Sequence, residues 1–267
     1  MKPLPPPDKA RWVLSFDFDG TLHDPASEPP VPDAFFDKIE ELRRDHAAVW
    51  GINTGRSLPY MLEGFVESRF PFLPDWVVTR EREVWLPGEA GDWLPHASWN
   101  QRCKDEIHSL FAHAAKLLAR IRSDVAEHTG AQWVEAEGDP AGIISRTSEE
   151  MDWIVSHIRP LVAAEPLLAW QRNSIYLRFS HRDYHKGSAL GEVASLFGLA
   201  AENCFAIGDS HNDFEMLDPA FAARTACPAN SVPEILSHVR ETGGCITSRI
   251  HGAGAIEALE HYFGGGH

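Results

Sequence analysis

The chain has 267 residues, of which 43% are hydrophobic and 24% charged, a mixture that supports a packed core and excludes disorder over the whole length. Thirty-nine acids against twenty-four bases give a formal net charge of −15. That charge repels phosphate backbones and anionic lipid, so neither nucleic acid nor a membrane surface is an expected partner.

No stretch approaches the roughly 18 consecutive apolar residues of a membrane helix. The opening segment Met1 to Asp8 is proline-rich and lacks an apolar core, so an extended lead-in is expected and not a secretory signal. Cys103, Cys204, Cys227 and Cys245 are far apart and form no C-x-x-C pair. A chain of this size needs no disulfide staples, and a reducing cytoplasm is the expected compartment.

In chain order, the apolar run Trp12 to Phe16 predicts a strand that stops at Asp17. Phe35, Phe36, Ile39 and Leu42 share one face of a helix expected over 33–45. A second strand over 47–52 runs into Asn53-Thr54-Gly55, and a third is expected over 76–78. From about 84 to 180 the pattern changes. A long helical stretch over 99–128 precedes short strands at 131–137 and 141–147, a helix near 149–160, and strands at 166–171 and 174–180. Helical periodicity returns after Gly187 with Leu190, Val193, Ala194 and Phe197. A strand at Cys204 to Ile207 then stops at Gly208-Asp209, and Ile256, Leu259 and Tyr262 mark a last helix.

Short buried strands alternating with helices predict an α/β fold with a Rossmann-like parallel sheet. The middle block reads as an inserted α+β domain over 84–180, with 1–83 and 181–267 forming one discontinuous core domain. In such sheets ligands bind outside the carboxyl ends of the strands. The polar runs that end the strands belong there.

Asp17-Phe18-Asp19-Gly20-Thr21 is the most informative of these runs. Gly20 lets the chain turn, so that both carboxylates can converge above the sheet. Two close carboxylates repel unless a cation or a proton sits between them. Alone, the run also fits an ordinary polar strand-to-turn junction. Asn53-Thr54-Gly55-Arg56 offers a hydroxyl and backbone N–H groups suited to phosphate, or simply a turn. Lys186 opens an amphipathic helix, where a cation opposes the helix dipole unless an anion lies nearby; the alternative is a solvated surface lysine. Gly208-Asp209-Ser210-His211-Asn212-Asp213 adds carboxylates at the same sheet edge, although Asp213 could instead cap the following helix. Each later piece is weak alone. In this order, each at a strand end or helix start, they are specific.

In these four pieces, Asp17-x-Asp19-Gly20-Thr21, Thr54, Lys186 and Gly208-Asp209-x-x-Asn212-Asp213, the sequence resembles the haloacid dehalogenase-like (HAD) phosphohydrolase superfamily. The insert between Thr54 and Lys186 looks like a type IIB cap. Thr54-Gly55-Arg56-Ser57, Pro74-Asp75-Trp76 and the run Ser248 to Ile256 are similar to sucrose-phosphate phosphatases. Two segments depart from the pattern. Thr79-Arg80-Glu81-Arg82-Glu83 stands where type IIB members often have a glycine-containing turn, and Ile143-Ile144-Ser145 lacks the cap-strand lysine of sucrose phosphatases.

The resemblance implies a phosphoric monoester hydrolase with Asp17 as nucleophile, forming an aspartyl-phosphate, and Asp19 as general acid and then base. Mg²⁺ is the implied cofactor, held by Asp17, Asp209 and the backbone carbonyl of Asp19. Thr54, Gly55, Lys186 and Asn212 would hold the phosphoryl oxygens, with Asp213 in support. The implied substrate is a small sugar phosphate, with sucrose 6-phosphate, another disaccharide phosphate and a hexose phosphate as candidates. A phosphosugar mutase like phosphomannomutase and a non-catalytic sugar-phosphate sensor are the alternatives. The choice between monomer and homodimer stays open.

Overall fold

The computed structural model of the chain describes residues 2–136 and 139–265, and its contacts divide into two units, Met1–Asn100 with Lys186–His267 and Gln101–His185. The elements of the larger unit begin with β1 (Trp12–Phe16), α1 (Asp33–His46), β2 (Ala48–Asn53), α2 (Leu58–Glu67), β3 (Trp76–Thr79), β4 (Glu83–Pro87) and β5 (Trp93–Pro95). The chain continues with α3 (Ala97–His113), α4 (Ala115–His128), β6 (Gln132–Ala136), β7 (Asp139–Ile144), α5 (Ser148–Val162), β8 (Leu168–Asn173) and β9 (Tyr176–His181). It closes with α6 (Lys186–Leu196), β10 (Cys204–Ile207), β11 (Arg224–Cys227), α7 (Pro233–Glu241), β12 (Cys245–Ile246) and α8 (His251–Phe263).

Eight strands of the larger unit form one sheet in the order β12-β11-β10-β1-β2-β3-β4-β5. From β12 to β3 all pairs are parallel; β4 and β5 join antiparallel at one edge. This is the α/β class expected from the sequence. The parallel strands are largely apolar because both faces are covered: every residue of β2 and β10 is buried. Phe16, Phe35, Trp50 and Phe205 meet edge-on or tilted in the core below, with α1 and α8 packed together.

The strand order reverses direction at β1. The chain leaves β1 for β2 and β3 on one side and returns to β10 and β11 on the other, so the switch point lies between β1 and β10. Phe16 is in register with Ile207 and with Ile52, and the Asp17 N–H donates to the Ile207 carbonyl at 3.0 Å. The three strand ends therefore finish level, and the residues after them share one edge.

The smaller unit is α+β, with an antiparallel sheet in the order β6-β7-β9-β8 and a core of α4, α5 and sheet residues such as Ile121, Ile154, Ile143 and Leu177. Residue 137, expected to close the first of its strands, lies outside the described residues. The expected long helix is divided at Ala114 into α3 and α4, though Ala114 N–H still donates to Leu110 and its carbonyl still accepts from Leu118.

The domain boundaries differ from the expected ones. Residues 84–100, assigned from sequence to the insert, belong to the larger unit, as do residues from 186, whereas 181–185 fall in the smaller one. The reason is a hairpin: β4 pairs with β3 through Val78–Val84 and Thr79–Glu83. The turn between them, Arg80-Glu81-Arg82, carries none of the Asn-Gly chemistry that announces a hairpin. Among the described residues no helix is long and apolar enough to cross a membrane.

Candidate active site

Lys186 carries its charge into the interior of the larger unit. Its side chain has no solvent exposure, and its Nζ donates to Asp17 Oδ1 and to Asp213 Oδ1, each at 2.6 Å. Burial alone would depress the ammonium, but Asp17, Asp213 and Glu81 outweigh it and hold the pKa above its ordinary value. A charge so buried persists only because it is paired on both sides. The position that sequence reading could also treat as a surface lysine is thus interior.

Asp17 follows β1 directly. Burial pushes its carboxyl well above the ordinary range, Lys186 pulls it back, and the negative charges of Asp213 and Asp209 push it up again. Asp209 follows β10, where burial and then Asp213 raise its pKa to about 6. Its Oδ1 accepts from the buried Thr21 hydroxyl at 2.7 Å. Asp213 is engaged at both oxygens: Oδ1 by Lys186, and Oδ2 by the backbone N–H groups of Asp209 and Ser210, each at 2.9 Å. The helix expected after Asp213 does not form, since residues 214–217 are turn; Asp213 instead closes the 3₁₀ turn His211–Asp213 in which it lies, and holds Lys186 with its other oxygen.

Asp17, Asp209 and Asp213 present oxygens that all lie within 4.8 Å of one another. Three carboxylates against one ammonium leave uncompensated negative charge, which adds to burial in raising Asp17 and Asp209. Hard oxygen donors in this surplus fit Mg²⁺. Both Asp213 oxygens are engaged by donors, whereas Lys186 meets Asp17, and Thr21 meets Asp209, at Oδ1, so Asp17 and Asp209 are the two carboxylates suited to a cation. The expected set named Asp19 in place of Asp213, through its backbone.

The turn after Asp17 is set by Gly20, at φ +83°, a conformation L side chains rarely adopt. A Cβ there would also fall 2.5 Å from Asp209 Oδ2, so the residue is small because the carboxylate lies against it. Two residues not foreseen hold this turn. Asn230 Nδ2 donates to the Gly20 carbonyl at 2.7 Å, His251 Nδ1 lies 2.9 Å from the same oxygen, and the His251 N–H donates to Asn230 Oδ1 at 2.9 Å. His251 lies in the run Ser248 to Ile256 singled out above; its placement at the head of α8 is what that run accomplishes. Asp75, in the other singled-out run, is structural: it pairs with Arg43 and accepts from the Trp50 N–H at 3.0 Å.

The Asp19 carboxylate is not among the clustered oxygens. Arg56 grips it in two-pronged fashion, Nε to Oδ2 at 2.7 Å and Nη2 to Oδ1 at 2.6 Å, with the guanidinium 4.7 Å above the Phe18 ring. The Arg56 guanidinium is thus committed to a protein acid.

Thr54 follows β2 directly and is buried; its N–H donates to the Val78 carbonyl at 2.9 Å and its hydroxyl accepts from the Arg56 N–H at 3.2 Å. Asn53, just before it, ties β2 to α6 by donating to the Lys186 carbonyl at 2.9 Å. Gly55 and Asn212 are brought together by a residue sequence reasoning missed, Glu81. Asn212 Nδ2 donates to Glu81 Oε1 at 2.9 Å, and a Cβ on Gly55 would lie 3.3 Å from the same oxygen.

A family model for haloacid dehalogenase-like hydrolases matches residues 131–247. A phosphoglycolate phosphatase from Methanosarcina acetivorans is 36% identical over 76 residues, covering 28% of this chain and 31% of that protein. The chain thus spans under a third of the length of this curated relative. The sucrose-phosphatase from Synechocystis sp. PCC6803, solved with sucrose and phosphate, is similar at TM-score 0.68 and 16% identity, covering 95% of this chain and 98% of that one. The HAD subclass IIB sugar phosphatase BT4131 is similar at TM-score 0.61 and 16% identity, over 94% of this chain and 98% of that one. At such identities the two structures speak to the fold.

Proposed function

We propose that the chain, whose residues 131–247 match the haloacid dehalogenase-like hydrolase model, is a haloacid dehalogenase-like Mg²⁺-dependent phosphatase of a small sugar phosphate, with Asp17 as nucleophile. The observation that carries this reading is the buried Lys186 ammonium bridging Asp17 and Asp213, with Asp209 beside them, at the switch point of the sheet.

Lys186 holds Asp17 by one oxygen and leaves the other to attack phosphorus, while its positive charge offsets the repulsion between carboxylate and phosphoryl group. The bond from phosphorus to the leaving sugar oxygen breaks as the bond to Asp17 forms. Asp19 supplies the proton to that oxygen, then takes one from the water that cleaves the acyl phosphate. Because Arg56 engages both Asp19 oxygens, proton delivery begins with release of that pair. Thr54, Gly55 and Asn212 bind the remaining phosphoryl oxygens, and Asp213 fixes Lys186 from behind. Asp17, Asp209 and the Asp19 carbonyl would hold Mg²⁺, which supplies Lewis-acid stabilisation of the transferring group.

Phosphate release from sucrose 6-phosphate, trehalose 6-phosphate, glucose 6-phosphate, mannose phosphates and phosphoglycolate, with Mg²⁺ and with chelator, tests this reading. Release is expected only with Mg²⁺, from at least one sugar phosphate. Mg²⁺ at a hundred times its Kd is also expected to stabilise the fold by about 2.7 kcal/mol, read as a rise in Tm. Isomerisation of a phosphosugar without phosphate release would favour the mutase, and binding without turnover the sensor.

A further inference from the structure

Between β3 and β4, Arg80 and Glu81 both have positive φ, at 49° and 64°, and the Arg82 N–H closes the turn on the Thr79 carbonyl at 3.0 Å. Two consecutive left-handed residues are the geometry for which hairpins select Asn-Gly, because a Cβ is unfavourable there. This chain places two long charged side chains in it. Strain of this kind persists only when the surroundings over-determine it, and it concentrates where it serves a site.

The surroundings do over-determine it. Trp99 Nε1 donates to the Arg82 carbonyl at 2.6 Å, Trp85 Nε1 to Thr79 Oγ1 at 2.8 Å, and the Glu81 and Arg80 N–H groups to the Thr54 and Arg56 carbonyls at 2.9 Å each. The turn is thereby stitched to the segment that follows β2. Its product is a carboxylate, Glu81, that is 5% exposed and accepts from Asn212 Nδ2 beside Gly55. Glu81 is also among the charges that keep Lys186 protonated. Asn212 Oδ1, at the other end of the same amide, is buried and makes no hydrogen bond. Among the described residues the amide is therefore held by Glu81.

We propose that Glu81 is a positioning residue for the phosphoryl site: it orients the Asn212 amide and closes the corner beside Gly55, and the strained turn exists to bring it there. This rests on the phosphatase reading above.

The test separates strain from function by substituting glycine, which relieves the left-handed conformation while deleting the carboxylate. Glu81→Gly is expected to keep its Tm within about 2 °C of wild type or above it. Its kcat/KM on p-nitrophenyl phosphate with Mg²⁺ should nevertheless fall about 10–100-fold, the usual cost of losing an orienting partner. Glu81→Gln, which still offers an acceptor to Asn212, should stay within about threefold of wild type. In a double-mutant cycle, Glu81→Gly should add nothing to the loss already caused by Asn212→Ala.

A Glu81→Gly protein as active as wild type would overturn the proposal, and so would one whose loss of activity follows a fall in Tm. Additive losses in the cycle would overturn it too, by showing that Glu81 acts without Asn212. Wild-type protein that neither hydrolyses the ester nor binds inorganic phosphate by calorimetry would overturn the phosphatase reading itself, and this inference with it.

Discussion

Asp17→Asn is expected to reduce phosphate release by at least about a thousandfold, to the uncatalysed level, because the amide cannot carry a phosphoryl group. The same change is expected to leave the metal-free fold as stable as wild type or more so. Asp17 sits well above its ordinary pKa, since burial and the charges of Asp213 and Asp209 outweigh the help it receives from Lys186. A group raised in this way is less comfortable charged in the folded state than in the unfolded one. Its contribution to stability is therefore present at low pH and is lost as the pH rises through its folded value. Asn removes the charge and that cost together, retaining an oxygen for Lys186. Activity without a nucleophile, or a large fall in Tm, would contradict the assignment of Asp17. A stable but inactive variant is the signature of a residue kept for chemistry at the expense of the fold.

Lys186→Met carries the largest expected cost in stability. The ammonium lies between Asp17 and Asp213 with no solvent exposure, and removing it strands two buried carboxylates. Removing one partner of a buried ion pair costs about 3–5 kcal/mol. In a chain of this length that lowers Tm by on the order of 10 °C. The sign of the pH dependence follows from Asp17. Without Lys186 its folded pKa rises further, so the folded state takes up protons more readily than the unfolded chain. The deficit measured by denaturant titration should therefore shrink between neutral pH and about pH 5. Combining Lys186→Met with Asp17→Asn should restore part of the loss, as the two residues share one network. A Lys186→Met protein as stable as wild type at neutral pH would mean that this charge is not buried between those carboxylates.

What could be read before the structure follows a simple division. Asp17, Thr54, Lys186 and Asp209 sit at strand ends or a helix start, where local sequence marks the position and the α/β topology does the gathering. The core strands β1, β2, β3 and β10 were legible for the same reason, as short apolar runs between turn residues. β11 and β12, of four and two residues, are too short to show any period. β4 and β5 were hidden because the turn before β4 holds Arg80 and Glu81 in a conformation normally given to glycine. Without that cue, the hairpin read as the start of the insert. Glu81 was missed by the same token: turn statistics place no functional carboxylate there.

Pairings across the fold were beyond a linear reading. Arg56 lies 37 residues from Asp19, and His251 lies 231 from Gly20, with nothing local to connect them. The run around His251 stood out as a pattern, yet its use depends on a single backbone carbonyl brought to it by packing. Asp213 could be read as the cap of a following helix or as a support; no such helix forms, and its two oxygens serve Lys186 and the turn it closes.

The central claim is that Asp17 carries the phosphoryl group. Rapid-quench of the Mg²⁺-loaded protein with a phosphate ester it hydrolyses, followed by borohydride reduction and peptide mass spectrometry, addresses it directly. An acyl phosphate at residue 17 is reduced to the corresponding alcohol, so homoserine is expected at that position, and only in samples quenched during turnover. Homoserine at another carboxylate, or turnover with no covalent species at residue 17, would contradict the account.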